Sequence, residues 1–132
     1  MRLLTAVGVL GISALLVACE TASPPLVTAV GAAAAAAKHN AEGIEHFNMG
    51  HWDVAKGHFE AAIKADPMLA EPHYNLALAL HNLGVHGEAT THFKKAVELG
   101  PSNPAITRSR VYQHHVAPTP SGGGGYGFGG GY

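Results

Sequence analysis

Two stretches of the chain decide the fold: GHWDVAKGHFEAAIKADP at residues 50–67 and GVHGEATTHFKKAVELGP at residues 84–101. They align without a gap at an offset of 34 residues. Six positions are identical at this offset, and these are Gly50/Gly84, Ala55/Ala89, His58/His92, Phe59/Phe93, Ala62/Ala96 and Pro67/Pro101. Identity at a fixed spacing indicates an internal structural repeat.

The residues around these stretches predict pairs of antiparallel helices. Leu76, Leu80 and Leu83 lie at i, i+4 and i+7, on one face of a helix. Gly50 and Gly84 stand where each first helix must end, because glycine adopts the left-handed conformation without Cβ strain. A proline at the end of each stretch stops the second helix.

The period of 34 and the Ala-x₃-Phe-x₂-Ala signature with a terminal Pro resemble the tetratricopeptide repeat. The resemblance implies an all-α fold, a short helix-turn-helix solenoid within residues 31–116. It would hold two repeats, about residues 34–67 and 68–101. A capping helix over about residues 103–115 would follow, because Asn103 is a good N-cap and Pro104 suits the first helical position.

The first helix of the first repeat departs from this pattern. It carries Glu42 and His46 where the second repeat has leucines. We therefore expect it to rely on Ile44 and Phe47, and to extend backwards through the alanine run at residues 32–37, which favours helix.

The start of the chain is typical of a secretory signal peptide, residues 1–18. Arg2 precedes 16 uncharged residues, a run short for a membrane-spanning helix. The LVAC sequence at residues 16–19 resembles the lipobox of bacterial lipoproteins, and the resemblance implies cleavage before Cys19 and acylation of its thiol. An alternative is an incidental thiol at the end of an uncleaved anchor.

Lipidation would fix the location of the protein in the bacterial cell envelope, because several acyl chains make membrane attachment effectively permanent. Residues 19–30 would form a lipidated tether. In such lipoproteins, an Asp directly after the acylated cysteine favours retention in the inner membrane. This chain has Glu20 at that position, so the resemblance implies the outer membrane, facing the periplasm. Residues 117–132, rich in glycine with interspersed aromatic residues, are predicted to form a flexible tail.

Stacked tetratricopeptide repeats form a concave groove that binds peptides. The resemblance therefore implies a protein or peptide partner. By register, nine residues would line the groove: Asn40, Ile44, Phe47, Asn48, Tyr74, Asn75, Leu78, His81 and Asn82. Asparagine pairs with peptide backbone and the apolar residues supply pockets. Alternatively, Asn75 and the Asn48/Asn82 pair are simply solvated.

Ten histidines are the oddest compositional feature. A metal site needs imidazoles at helical neighbours or brought together by the fold, and the spacing along each helix gives neither a His-x₃-His pair nor a carboxylate–histidine set. We therefore expect no metal, no cofactor and scattered histidines, with a pH response between about pH 7 and 5.5 physically available.

Eight basic against nine acidic residues give a net charge of -1, so nucleic acid is not an expected partner. No catalytic constellation stands out, so the chain is not expected to be an enzyme. The leading hypothesis is a lipid-anchored adaptor that holds a protein partner in the cell envelope. The alternatives are a subunit that self-assembles head to tail, because two repeats leave apolar ends, and a histidine-rich periplasmic metal-binding protein.

Overall fold

The computed structural model describes residues 23–116. Its helices are α1 (Ala34–Asn48), α2 (Trp52–Ala65), α3 (Ala70–Asn82), α4 (His86–Leu99), α5 (Pro104–Thr107) and α6 (Arg110–Val116). Since these described residues form no strand, the expected all-α solenoid is confirmed. The signal peptide, Cys19 and the tail at 117–132 lie outside the described residues and stay predictions.

Each helix packs against the one that follows it from α1 to α4, and α6 packs against α4. Gly50 and Gly84 have φ of 79° and 78°, the left-handed conformation that the sequence predicted. The same backbone hydrogen bond closes both turns, since the N–H of His51 donates to His46 O and that of Val85 to Leu80 O, each at 2.9 Å. No helix of the described chain has the length and apolar character required to cross a membrane.

A phenylalanine from each second helix fills the core of its repeat. Phe59 and Phe93 are fully buried. The ring of Phe59 lies directly on the backbone of Gly43, while Phe93 meets the ring of Tyr74 edge-on at 5.7 Å. As expected, α1 begins within the alanine run. Ile44 and Phe47, the residues on which this helix was expected to rely, are only half-buried against the core.

The expected single capping helix is divided in two. Asn103 caps α5 as predicted, because the N–H of Ala105 donates to its Oδ1 at 3.0 Å, but the helix stops at Thr107. Ser109 causes the break: its buried hydroxyl accepts from Tyr74 Oη at 2.9 Å and from the N–H of Tyr112 at 3.3 Å. Ser109 is thus held on α3 and starts α6 as its N-cap.

Candidate functional site

Two buried asparagines grip the backbone of one residue between α1 and α3. The N–H of Leu26 donates to Asn75 Oδ1 at 2.6 Å, and Leu26 O accepts from Asn40 Nδ2 at 2.9 Å and from Asn75 Nδ2 at 2.7 Å. Asn75 Nδ2 also donates to Asn40 Oδ1 at 2.8 Å. Together the two carboxamides satisfy both backbone polar groups of Leu26.

This asparagine pair is buried together with its occupant. With Leu26 in place, Asn40 and Asn75 are 1% and 0% exposed, and their amide groups take part in four hydrogen bonds. The pair thus holds a backbone segment on the surface of the repeats, and we call it the asparagine clamp.

The occupant is the segment of residues 23–30, which we call the strap. Besides the clamp, Ser23 Oγ accepts from Ser109 Oγ at 3.0 Å, and the Leu26 side chain packs half-buried against the core. Val27 is 76% exposed, whereas the neighbouring Leu26 packs inward. The strap, expected to be part of a tether, is thus held against the repeats at two points.

The other predicted groove residues divide by burial. Asn48 and Asn82 are exposed, and Asn82 Nδ2 donates to Leu78 O in its own helix at 2.9 Å. Ile44 is half-buried, and so is Phe47, whose ring meets Trp52 at 4.8 Å. These four residues lie in or next to the same helices as the clamp asparagines. In the described chain, none of them has a hydrogen bond to the strap.

Two predicted groove pockets are corrected by the structure. Tyr74 is 0% exposed with its hydroxyl on Ser109, and Leu78 is 2% exposed. Both side chains belong to the core because α3 is covered by α2 on one side and α4 on the other. The apolar contact with the strap is therefore made by Leu26 on the core surface, not by open pockets at these positions.

The histidines are not scattered, because the fold gathers all ten into three clusters. The clusters are His39, His46, His51 and His58; His73 and His92; and His81, His86, His114 and His115. Sequence comparison paired equivalent positions of different repeats. The contacts of the first two clusters instead form within one repeat, across its two antiparallel helices.

The first cluster includes a carboxylate. Glu42 Oε2 lies 3.4 Å from His39 Nδ1 and 3.3 Å from His58 Nδ1, and these three side chains place one ligand atom each within 4.8 Å of one another. The set joins α1 to α2. Spacing along a single helix did not reveal it, since His58 comes from the second helix.

The second cluster is a pair of neutral imidazoles. His73 Nδ1 lies 3.1 Å from His92 Nδ1, with the rings stacked at 5.4 Å. Burial lowers the pKa of both groups, and the neighbouring His92 lowers that of His73 further. One ring therefore donates its Nδ1 proton to the Nδ1 of the other ring, and both rings stay uncharged near neutral pH.

The third cluster brings α3, α4 and α6 together. His81 Nδ1 lies 2.8 Å from His115 Nε2, and His86 completes a set whose ligand atoms lie within 4.8 Å of one another. Burial, and after it the neighbouring histidines, together lower the pKa of His115 to about 4. Burial also lowers the pKa of His81. The fold thus brings together ligand atoms that the spacing along each helix keeps apart, and the expectation of no metal stays a prediction.

Comparison with known proteins agrees with this architecture. The tetratricopeptide repeat family matches residues 40–104, which contain both signature units and the two clamp asparagines. No curated protein and no solved structure gives a significant match. The family match and the stacked helix pairs agree with each other: residues 40–104 have the sequence pattern and the helix-pair arrangement of tetratricopeptide repeats.

Proposed function

We propose that this chain is a non-catalytic interaction protein whose clamp between α1 and α3 binds an extended segment of a protein partner. The observation that carries the proposal is the capture of Leu26 by Asn40 and Asn75. Tetratricopeptide repeats are interaction modules, and the clamp supplies the donors and acceptor that an extended backbone needs.

The strap indicates what the clamp recognises. Both hydrogen-bonded groups of Leu26 belong to the backbone, so they place no demand on sequence. Selectivity comes from the side chain, which packs against the core. The partner segment is therefore extended and carries a Leu-sized side chain, and it competes with a strap that is present at high effective concentration.

We propose further that acylation of Cys19 anchors the protein in the bacterial envelope, with the outer membrane as its location. The LVAC sequence at residues 16–19 supports this. Seven residues from Cys19 to Leu26 span at most about 25 Å, so an anchored chain would hold its clamp close to the bilayer. The partner would then be an envelope protein within that reach.

Head-to-tail self-assembly has weaker support. It needs apolar surface at both ends of the array. At the carboxyl end, α6 packs on α4 through the half-buried side chains of Val111, Tyr112 and Val116. One end of the array is thus already covered by the chain itself.

The interaction proposal is tested by comparing how substitution of a clamp asparagine and of an exposed asparagine affects partner binding. A photo-crosslinking residue at Asn82, which is exposed in α3 and is not part of the strap, identifies the partner in intact cells, and binding of the purified partner is then measured. In a chain whose competing strap is weakened by Leu26→Ser, Asn40→Ala removes a clamp donor, and we expect about tenfold weaker binding for a hydrogen bond worth about 1.4 kcal/mol. Asn48→Ala, an exposed asparagine of the same helix, is the control. Equal affinity of the two variants would count against the clamp.

A further inference from the structure

The third histidine cluster points to a metal site that the interaction function does not use. We propose that His81, His86 and His115 bind one divalent first-row transition-metal ion, of the Zn²⁺ class, through their ring nitrogens. The bound ion fastens α6 to the second repeat. Imidazole is a preferred ligand of such ions, and three protein ligands leave a fourth position for water.

The distances suit the ion. Zinc binds imidazole nitrogen at about 2.0–2.1 Å, which places the nitrogens of a tetrahedral site about 3.3 Å apart. The three ligand atoms here lie within 4.8 Å of one another, and His81 Nδ1 and His115 Nε2 are 2.8 Å apart. His86 is exposed, so its side chain can rotate towards the other two nitrogens.

A hydrogen-bond chain behind the site orients His115. Thr90 Oγ1 donates to His86 O at 2.9 Å, so its free lone pair accepts from His115 Nδ1, 3.1 Å away. With its proton on Nδ1, His115 turns the lone pair of Nε2 towards His81. Metal-ligating histidines characteristically donate their second nitrogen to such an acceptor.

The chemistry of the set also distinguishes it from the first cluster. There, Glu42 lies against two histidines and 3.9 Å from Lys38 Nζ, so its negative charge already has a cationic neighbour. The proposed set within the third cluster holds three imidazoles in mutual contact with no carboxylate among them. Neutral imidazole is the form that ligates metal, and no carboxylate in this set competes for the ligating nitrogens.

The site explains how α6 is secured. This helix has seven residues and none of them is fully buried. Its contact with α4 rests on half-buried apolar side chains and on His115, which meets the ring of Phe93 at 5.3 Å. An ion shared by α3, α4 and α6 would hold the end of the array closed.

The test uses the full chain with Cys19→Ser, so that no thiol competes, and without a polyhistidine tag. Zn²⁺ titration by calorimetry is combined with the visible spectrum of bound Co²⁺. We expect one tetrahedral site, at least tenfold weaker in His86→Gln and His115→Gln. Thr90→Val is expected to weaken binding about tenfold, because it removes the acceptor that orients His115.

Two controls separate the clusters. His51→Gln changes an equally exposed histidine at the turn of the first repeat, and His58→Gln removes a member of the first cluster. Both are expected to leave the Zn²⁺ affinity unchanged. The absence of binding at 1:1 stoichiometry, or binding that survives His86→Gln but is lost in His58→Gln, would overturn the proposal. Retained helical circular dichroism shows that each variant is folded.

Discussion

At the scale of single residues, Gly43 shows that the two repeats pack their helices differently at one equivalent position. It is the register equivalent of Ala77, yet a Cβ at position 43 would lie 2.5 Å from Cε1 of the Phe59 ring. The first repeat thus brings its helices closer together than the second. Sequence comparison found the two phenylalanines, but the closeness of approach depends on side-chain packing that the repeat pattern does not encode.

Two glycines of this repeat give a matched pair of variants. Gly43→Ala overpacks the core, which costs about 1–3 kcal/mol and outweighs the helix propensity gained, about 1 kcal/mol. Gly57→Ala lies in α2 with open space around its Cβ, so we expect it to stabilise the fold by up to about 1 kcal/mol. Urea unfolding measures both. A Gly43→Ala protein as stable as Gly57→Ala would contradict the packing.

At the scale of elements, the four long helices and their two turns follow from the sequence. Leucine spacing, the paired signatures and Gly50 and Gly84 mark them, because these signals are local. The strap, the break at Ser109 and the histidine clusters were not predicted, because they depend on contacts between distant elements. Ser109, for example, reads as an ordinary helical residue until Tyr74 is known to lie beneath it.

The histidine contacts between helices make stability depend on pH. The pKa of His73, His92, His81 and His115 is lowered in the folded chain, mainly by burial. Above about pH 6.5 these histidines are neutral in both the folded and the unfolded chain, so no stability is lost. Below it the unfolded chain takes up protons that the folded chain does not, so stability falls as the pH drops towards about 4.

The groups facing these histidines modify the effect. Lys95 lowers and Glu98 raises the pKa of His73, while Glu88 and Glu60 raise that of His92. Because the rings retain contact with solvent, we expect a loss on the order of 1 kcal/mol per group at most. Thermal unfolding at pH 7.5 and 5.0 measures it, and His115→Gln is expected to show a smaller difference. An equal melting temperature at both pH values would refute the effect.

At the scale of the whole molecule, the account joins a membrane anchor to a repeat domain through the strap. The proposed anchor at Cys19 and the strap residue Leu26 are seven positions apart. Occupation of the clamp by a partner would release the strap and lengthen the connection to the bilayer. The distance of the repeat domain from the bilayer and the binding of a partner are thus coupled through the strap.

The anchor itself is tested by fractionation of cells that express the protein. We expect the wild-type protein in the membrane fraction, with acyl groups on Cys19 detected by mass spectrometry. Cys19→Ser removes the only thiol of the chain and is expected to abolish acylation. Glu20→Asp, a control that keeps the thiol, is expected to keep the acyl groups. A non-acylated Cys19 in the mature protein would refute the anchor.

The most direct test of the central claim uses the strap as a ligand supplied in trans. A labelled peptide of residues 21–31 is titrated, by fluorescence anisotropy, into the full chain carrying Leu26→Ser, which weakens the internal strap. The account predicts saturable binding, tighter than to the wild-type chain, whose own strap competes, and at least tenfold weaker when Asn75→Ala is added. Absence of binding, or binding indifferent to Asn75→Ala, would contradict a clamp for extended peptides.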